Sequence, residues 1–217
     1  MGYFDQRRAR LVAQLSRRGI RDARVLGAIG EVPRHRFVPE ELIEAAYDDS
    51  ALAIGEGQTI SQPYVVALMT QALELRPVER VLEVGTGSGY SAAVVSRLVG
   101  EVYSVERIPT LAARAAKTLA ELGFTNVHLR VGDGTEGWKE HAPFDAIAVT
   151  AGGPRIPEPL LWQLAEGGRL VIPIGPTESQ TLMRITRRAD GRFVREDLGA
   201  VRFVPLVAPS PRGRGKG

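Results

Sequence analysis

The chain contains no cysteine, which excludes a disulfide framework, a thiolate zinc site, an iron–sulfur cluster and a cysteine nucleophile. Aromatic residues make up only 6%, and no stretch approaches the roughly 18 to 20 consecutive apolar residues of a membrane span. The opening MGYFDQRRAR carries charge where a secretory signal carries an apolar core, so the expected compartment is the cytoplasm. Lysine is scarce, with 25 of the 28 basic side chains arginine, and asparagine occurs once; a thermophile or a GC-rich genome would each give that bias. Excess charge is scarce too. The net charge of +3 resides in Arg212, Arg214 and Lys216, leaving residues 1 to 210 balanced at 25 basic and 25 acidic side chains. Residues 208 to 217 are too poor in apolar side chains to order themselves and are expected to form a disordered basic tail. His35, His128 and His141 show no short paired spacing, so no metal site is expected. What remains, 217 residues at 44% hydrophobic, describes a soluble globular chain with one sizeable core and an extension.

Residues 5 to 18 read as a helix with an apolar stripe of Leu11, Val12 and Leu15 and a stop at Gly19. A second helix follows, capped by Asp22 and burying Val25, Leu26 and Ile29. The segment after Pro33 bends at two prolines into a further short helix near Glu40 to Ala46. Residues 1 to 77 thus form a helical cap and a substrate-side segment. From residue 78 to 207, RVLEV, EVYSVE, NVHLRVGD, FDAIAVT and GRLVIPIG alternate with helical segments, the last of them PEPLLWQLAEG. Such nearly continuous apolar runs imply strands covered on both faces, hence a doubly wound α/β fold with a mostly parallel sheet. TLMRITRR and RFVRED read as an antiparallel C-terminal hairpin turning at Asp190-Gly191, with VRFVPL as a final strand.

Glu83-Val-Gly85-Thr86-Gly87-Ser88-Gly89 ends the first strand of this pattern and opens a helix, where a doubly wound sheet binds nucleotides. Glu106 ends the second strand, where its carboxylate can accept both hydroxyls of a ribose. Asp133 ends the third and can accept from an adenine amino group, with Gly134 allowing close backbone approach. Three acidic strand ends are expected to line one crevice. A nicotinamide dehydrogenase would use Glu106 and leave Glu83 and Asp133 unexplained. The set resembles the class I methyltransferase (Rossmann-like) fold, which implies S-adenosyl-L-methionine as cofactor and S-adenosyl-L-homocysteine as product, bound by Glu83, Gly85, Thr86, Gly87, Ser88, Glu106, Arg107, Asp133, Gly134 and Thr150.

From about residue 5 to 207 the chain is similar to the protein-L-isoaspartate O-methyltransferase family. The most specific element is Gly57-Gln58-Thr59-Ile60-Ser61-Gln62-Pro63, supported by RVLEVGTGSGYSAAVV, VGDGTEGW, FDAIAVTAGGPRIPEPLL and RFVPL. The resemblance implies methylation of the α-carboxylate of L-isoaspartyl residues in damaged proteins and peptides. It assigns the functional serine to Ser61 and puts Thr59, Ile60, Gln62, Val204 and Pro205 with it on the substrate side. A purely structural reading stays open, in which Thr59 or Ser61 caps the helix beginning near Pro63. The RFVPL segment can run beside an extended peptide or simply close the sheet; Gln58 and Tyr64 can line the groove or pack locally.

A carboxylate acceptor is already ionised at neutral pH, so the chemistry calls for positioning by neutral donors, with Arg202 at a distance. Thr150-Ala151-Gly152-Gly153-Pro154 lacks the Asn/Asp-Pro-Pro-aromatic pattern of amino-group methyltransferases, and no G-x-S-x-G elbow surrounds Ser61. The expected partners are isoaspartyl proteins and peptides, without nucleic acid or membrane, and the expected state is a monomer. Two alternatives remain: a methyltransferase acting on RNA or a small molecule, and a binding module that has lost turnover.

Overall fold

The computed structural model describes residues 2–206, so the expected disordered tail lies outside the described residues. Helix α1 (Tyr3–Arg17) buries Leu11 and Leu15 and ends at Gly19, whose φ of +102° lets the chain reverse. Helix α2 (Ala23–Glu31) starts at Asp22, whose side chain accepts from Arg24 N at 2.8 Å, as a helix start requires. Short 3-10 turns over Arg34–Phe37 and Glu40–Ala45 follow Pro33 and Pro39. Strands β1 (Leu52–Gly55) and β2 (Gln58–Ile60) form a small hairpin. Its turn residues Glu56 and Gly57 both have positive φ, the geometry that matches strand twist. Helix α3 (Pro63–Ala72) follows directly.

The main sheet comprises β3 (Arg80–Val84), β4 (Glu101–Glu106), β5 (Val127–Val131), β6 (Phe144–Val149), β7 (Leu164–Ile174), β8 (Gln180–Arg187) and β9 (Phe193–Val201). Their order is β5-β4-β3-β6-β7-β8-β9. The first five strands of that order run parallel, and β8 and β9 are antiparallel to their neighbours. Helices α4 (Tyr90–Ser96) and α5 (Pro109–Glu121) make the crossovers that flank β4. The chain therefore leaves β3 towards β4 and later returns to its other side as β6. That reversal opens a crevice at the carboxyl ends of β3 and β6.

One core joins α1 to α5 with the sheet face that includes Val81, Val102, Ala146 and Val171. The opposite face, with Leu82, Val84, Ile147 and Leu170, packs under Trp138, Leu160 and Leu164.

Two sequence expectations are corrected. The helix expected over PEPLLWQLAEG is cut to α6 (Glu158–Trp162), because Leu164 already pairs with Phe144 in the sheet. Gln163 anchors the switch, accepting from Trp138 N and donating to Glu136 O, each at 2.7 Å. VRFVPL is not a final strand. Val201 ends β9, and the remainder clamps Gly152, whose N–H donates to Val204 O while Leu206 N donates to Gly152 O.

Arg169 on β7 ties the sheet to the end of α3. Its guanidinium binds both Glu79 oxygens at 2.9 Å and the carbonyls of Leu73 and Glu74. With Glu79 only 8% exposed, Arg169→Ala should lower the unfolding free energy by about 3–5 kcal/mol by leaving a buried carboxylate unpaired. Urea denaturation checks this; a loss below about 1 kcal/mol would mean that water replaces the guanidinium.

Candidate active site

The glycine loop between β3 and α4 crosses the carboxyl edge of the sheet. Gly85, Gly87 and Gly89 have φ of +97°, +55° and +89°, a region that disfavours other residues. Packing adds to the demand at Gly85, where a Cβ would lie 2.4 Å from Thr150 Oγ1. Thr150 Oγ1 in turn donates to Gly85 O at 2.6 Å, so the end of β6 supports the turn after β3. At Gly134 a Cβ would fall 2.4 Å from Val84 Cγ1. The close approach there is to this protein side chain.

The three acidic strand ends are not equivalent. Glu106 lines the cleft: Oε2 accepts from Gly87 N at 2.8 Å and Oε1 from Ile108 N at 2.9 Å. Each oxygen keeps a second lone pair, which suits a vicinal diol such as a ribose. Glu83, expected in the crevice, lies beneath the loop and outside the cleft lining, 1% exposed. Its position on a central strand between two packed neighbours sends the side chain into the α4 side of the sheet. Ser104 Oγ donates to Glu83 Oε2 at 2.5 Å, and Thr86 Oγ1 lies 2.6 Å from Ser104 Oγ. Asp133 also lies outside the cleft lining, which its neighbour Gly134 joins. Its Oδ1 accepts from Thr135 N and Thr135 Oγ1, capping a 3-10 turn.

Two adjoining cavities meet at this edge. The first, about 830 Å³ and open to solvent, is lined by Gly85, Thr86, Gly87, Ser88, Glu106 and Arg107, and by Gly134, Thr150, Val204 and Pro205 on its other walls. Gln58, Thr59, Ile60 and Ser61 line it as well. The second, a surface groove of about 1490 Å³, runs between Gln62, Tyr64, Val65 and Leu68 on one side and residues 198 to 204 on the other. Thr59, Ser61, Thr150 and Val204 line both cavities. Neither Thr59 nor Ser61 caps α3: its first turn begins at Gln62 without a side-chain cap. Instead Tyr64 N donates to Asp49 Oδ1 at 2.9 Å. Arg202, with Arg18, lines the groove away from the first cavity.

The family model for "Protein-L-isoaspartate(D-aspartate) O-methyltransferase (PCMT)" matches residues 6–210. The chain belongs to this family. A family relative, the protein-L-isoaspartate O-methyltransferase of Protochlamydia amoebophila, is 57% identical over 195 residues, covering 89% of this chain and 93% of that one. A solved protein-L-isoaspartate O-methyltransferase superposes with a TM-score of 0.85 at 34% identity, over 93% of this chain and 66% of that chain. A putative family member from Plasmodium falciparum, solved in complex with S-adenosyl-L-homocysteine, superposes with a TM-score of 0.80 at 29% identity, over 92% of this chain and 98% of that chain.

Sequence reasoning in this family member missed Tyr90, Ser91 and Ile108 as cleft-lining residues. Their signal was their place immediately after the glycine loop and after Glu106. It also missed Asp49, which carries no motif.

Complete burial pushes the Glu83 carboxyl up to about 7, with Glu106 adding like charge and the Ser104 and Ser91 hydroxyls opposing the rise. A raised folded-state pKa means that stability present at acid pH is lost as pH climbs from the ordinary carboxylate value through about 7. Glu83→Gln cannot ionise, so its melting temperature relative to the parent should climb between about pH 4.5 and about pH 7 and level off above that. A difference independent of pH would show that Glu83 titrates normally.

Proposed function

We infer that this chain transfers a methyl group from S-adenosyl-L-methionine to the α-carboxylate of L-isoaspartyl residues in damaged proteins and peptides. The carboxylate becomes a methyl ester, whose methoxide is a far better leaving group than the oxygen of an ionised carboxylate. The neighbouring backbone nitrogen then attacks the ester carbonyl, methanol leaves and a succinimide closes, which water reopens in part to normal aspartate. Family membership carries this reading, and the observation in the molecule that supports it most is the character of the junction between the two cavities. Its four residues, Thr59, Ser61, Thr150 and Val204, are all uncharged.

When bound, S-adenosylmethionine supplies an electrophilic methyl on a sulfonium. The acceptor groups at the first cavity fit its adenosine part: Glu106 offers acceptors for the ribose, and Asp133, next to the lining residue Gly134 though not itself in the lining, has an oxygen not engaged by Thr135. Gly85, Thr86, Gly87, Ser88, Arg107, Gly134 and Thr150 would form the remaining wall, with Glu83 acting from beneath through Ser104 and Thr86. On the acceptor side, the substrate carboxylate is already ionised and needs no general base. Ser61 can orient it by donating one hydrogen bond while leaving an oxygen lone pair free to attack. A guanidinium at the same place would stabilise a charge that the reaction consumes. Arg18 and Arg202 lie along the groove instead, where Thr59, Gln62 and Val204 would border the peptide, with Ile60 and Pro205 flanking it from the first cavity.

The same reading takes the enzyme as a cytoplasmic monomer that acts on proteins rather than on nucleic acid or membrane. The balanced charge of residues 1 to 210 supports a protein rather than a nucleic-acid substrate, and no helix among the described residues is long and apolar enough to cross a membrane.

With methyl-labelled S-adenosylmethionine and an isoaspartyl peptide, the parent chain should form base-labile label. Ser61→Ala should turn over about a hundredfold more slowly with S-adenosylhomocysteine affinity within about threefold of the parent. An unchanged rate would remove Ser61 from the mechanism. No transfer by the parent would refute the activity.

A further inference from the structure

Helix α3 presents the segment that ends in Ser61, yet nothing in that segment fixes the helix start. Pro63 has no N–H, so Tyr64 carries the first free donor of the helix. The acceptor comes from far away in sequence: Asp49 Oδ1, at 2.9 Å. The main-chain oxygen of the same Asp49 accepts from Gln62 Nε2, also at 2.9 Å. Asp49 thus holds the residues on both sides of Pro63, beginning at the one adjacent to Ser61. Its other carboxylate oxygen is ion-paired to Arg18 and the side chain is only 5% exposed. The Arg18 guanidinium lies 3.8 Å over the Tyr64 ring. The segment bearing Asp49 is itself pinned by the fully buried Arg34, which donates to Ala46 O at 2.8 Å and Ser50 O at 3.4 Å.

Asp49 lines neither cavity, so any effect it has on the reaction must pass through another residue. We propose that Asp49 is the positioning residue of the methyl-acceptor site, setting the height and direction of Ser61 against the first cavity through Gln62 and Tyr64. This inference rests on the methyl-transfer reading. The carboxylate also places negative charge at the positive end of α3. Because it acts on the acceptor side only, its removal should leave the turn after β3, and with it cofactor binding, intact. A displacement of Ser61 by a fraction of an ångström to one ångström is enough to slow a reaction that depends on alignment.

The test uses the full chain, an isoaspartyl peptide and saturating S-adenosylmethionine, with S-adenosylhomocysteine affinity measured calorimetrically on the same preparations. Asp49→Ala should lower kcat/KM for the peptide by about tenfold to a hundredfold, with S-adenosylhomocysteine Kd within about threefold. Asp49→Glu keeps the charge but moves the carboxylate by one methylene, and should lose rate as well. Asp49→Asn keeps an oxygen for Tyr64 N–H and should recover most of the rate. If Asp49→Ala does not fold, the Glu and Asn variants make the same comparison. An unchanged kcat/KM in the Glu or Ala variant overturns the inference, as does failure of Asn to recover the rate or a loss of S-adenosylhomocysteine affinity in step with kcat. Failure of the parent chain to methylate the peptide would instead overturn the underlying reading, and this inference with it.

Discussion

The Glu106 carboxylate joins the two turns on which the cleft depends. One oxygen accepts from Gly87 in the turn after β3, the other from Ile108 in the turn after β4. Both are charge-assisted bonds to backbone donors, the stronger class of hydrogen bond, and the residue is 6% exposed. Loss of this carboxylate would leave two donors at the carboxyl edge without their acceptor and let the turns separate. The parallel sheet makes the arrangement possible, since β3 and β4 end at the same edge. Thr150 at the end of β6 completes it by donating to Gly85 O on the opposite side.

Around this frame the molecule divides its polar groups by task. Carboxyl groups lie beneath or beside the cavity junction, where they support the surrounding structure: Glu83 accepts from Ser104 Oγ under the loop, Asp133 caps its own turn, and Asp49 accepts from Tyr64 N at the start of α3. The point where the cavities meet carries hydroxyls and apolar groups instead. That division suits an acceptor that brings its own negative charge. Strong cationic donors at the reacting oxygen would lower its nucleophilicity, and a carboxylate there would repel it.

Much of this was legible in the chain because local and global preferences coincide. The apolar runs of β3, β4 and β6 are buried on both faces, so their short, nearly continuous form alternating with helical segments identifies them. Asp22 and Gly19 mark helix ends whose geometry is local. The hairpin around Asp190-Gly191 follows from turn chemistry in the same way, with Gly191 at positive φ. The misses are places where tertiary contacts decide. The Leu164 to Gly167 segment has a helical pattern, but pairing of Leu164 with Phe144 draws it into the sheet. The β1 to β2 hairpin is only a few residues long and was hidden in a segment read for its motif. In the site, the sequence could place Glu83, Glu106 and Asp133 at successive strand ends, but not tell which carboxylate faces the cleft and which is consumed by a neighbouring hydroxyl. Asp49 was invisible, because its partner Tyr64 lies on a different element and only folding brings them together.

Methyl transfer by this chain depends on an acceptor carboxylate being held by neutral groups at the cavity junction. Its most direct measurement uses two peptides identical except for one isoaspartyl linkage in place of aspartyl, each incubated with the chain and methyl-labelled S-adenosylmethionine. Base-labile label on the isoaspartyl peptide alone is the predicted result. Equal labelling of both peptides, or label on neither while S-adenosylhomocysteine still binds, would contradict it.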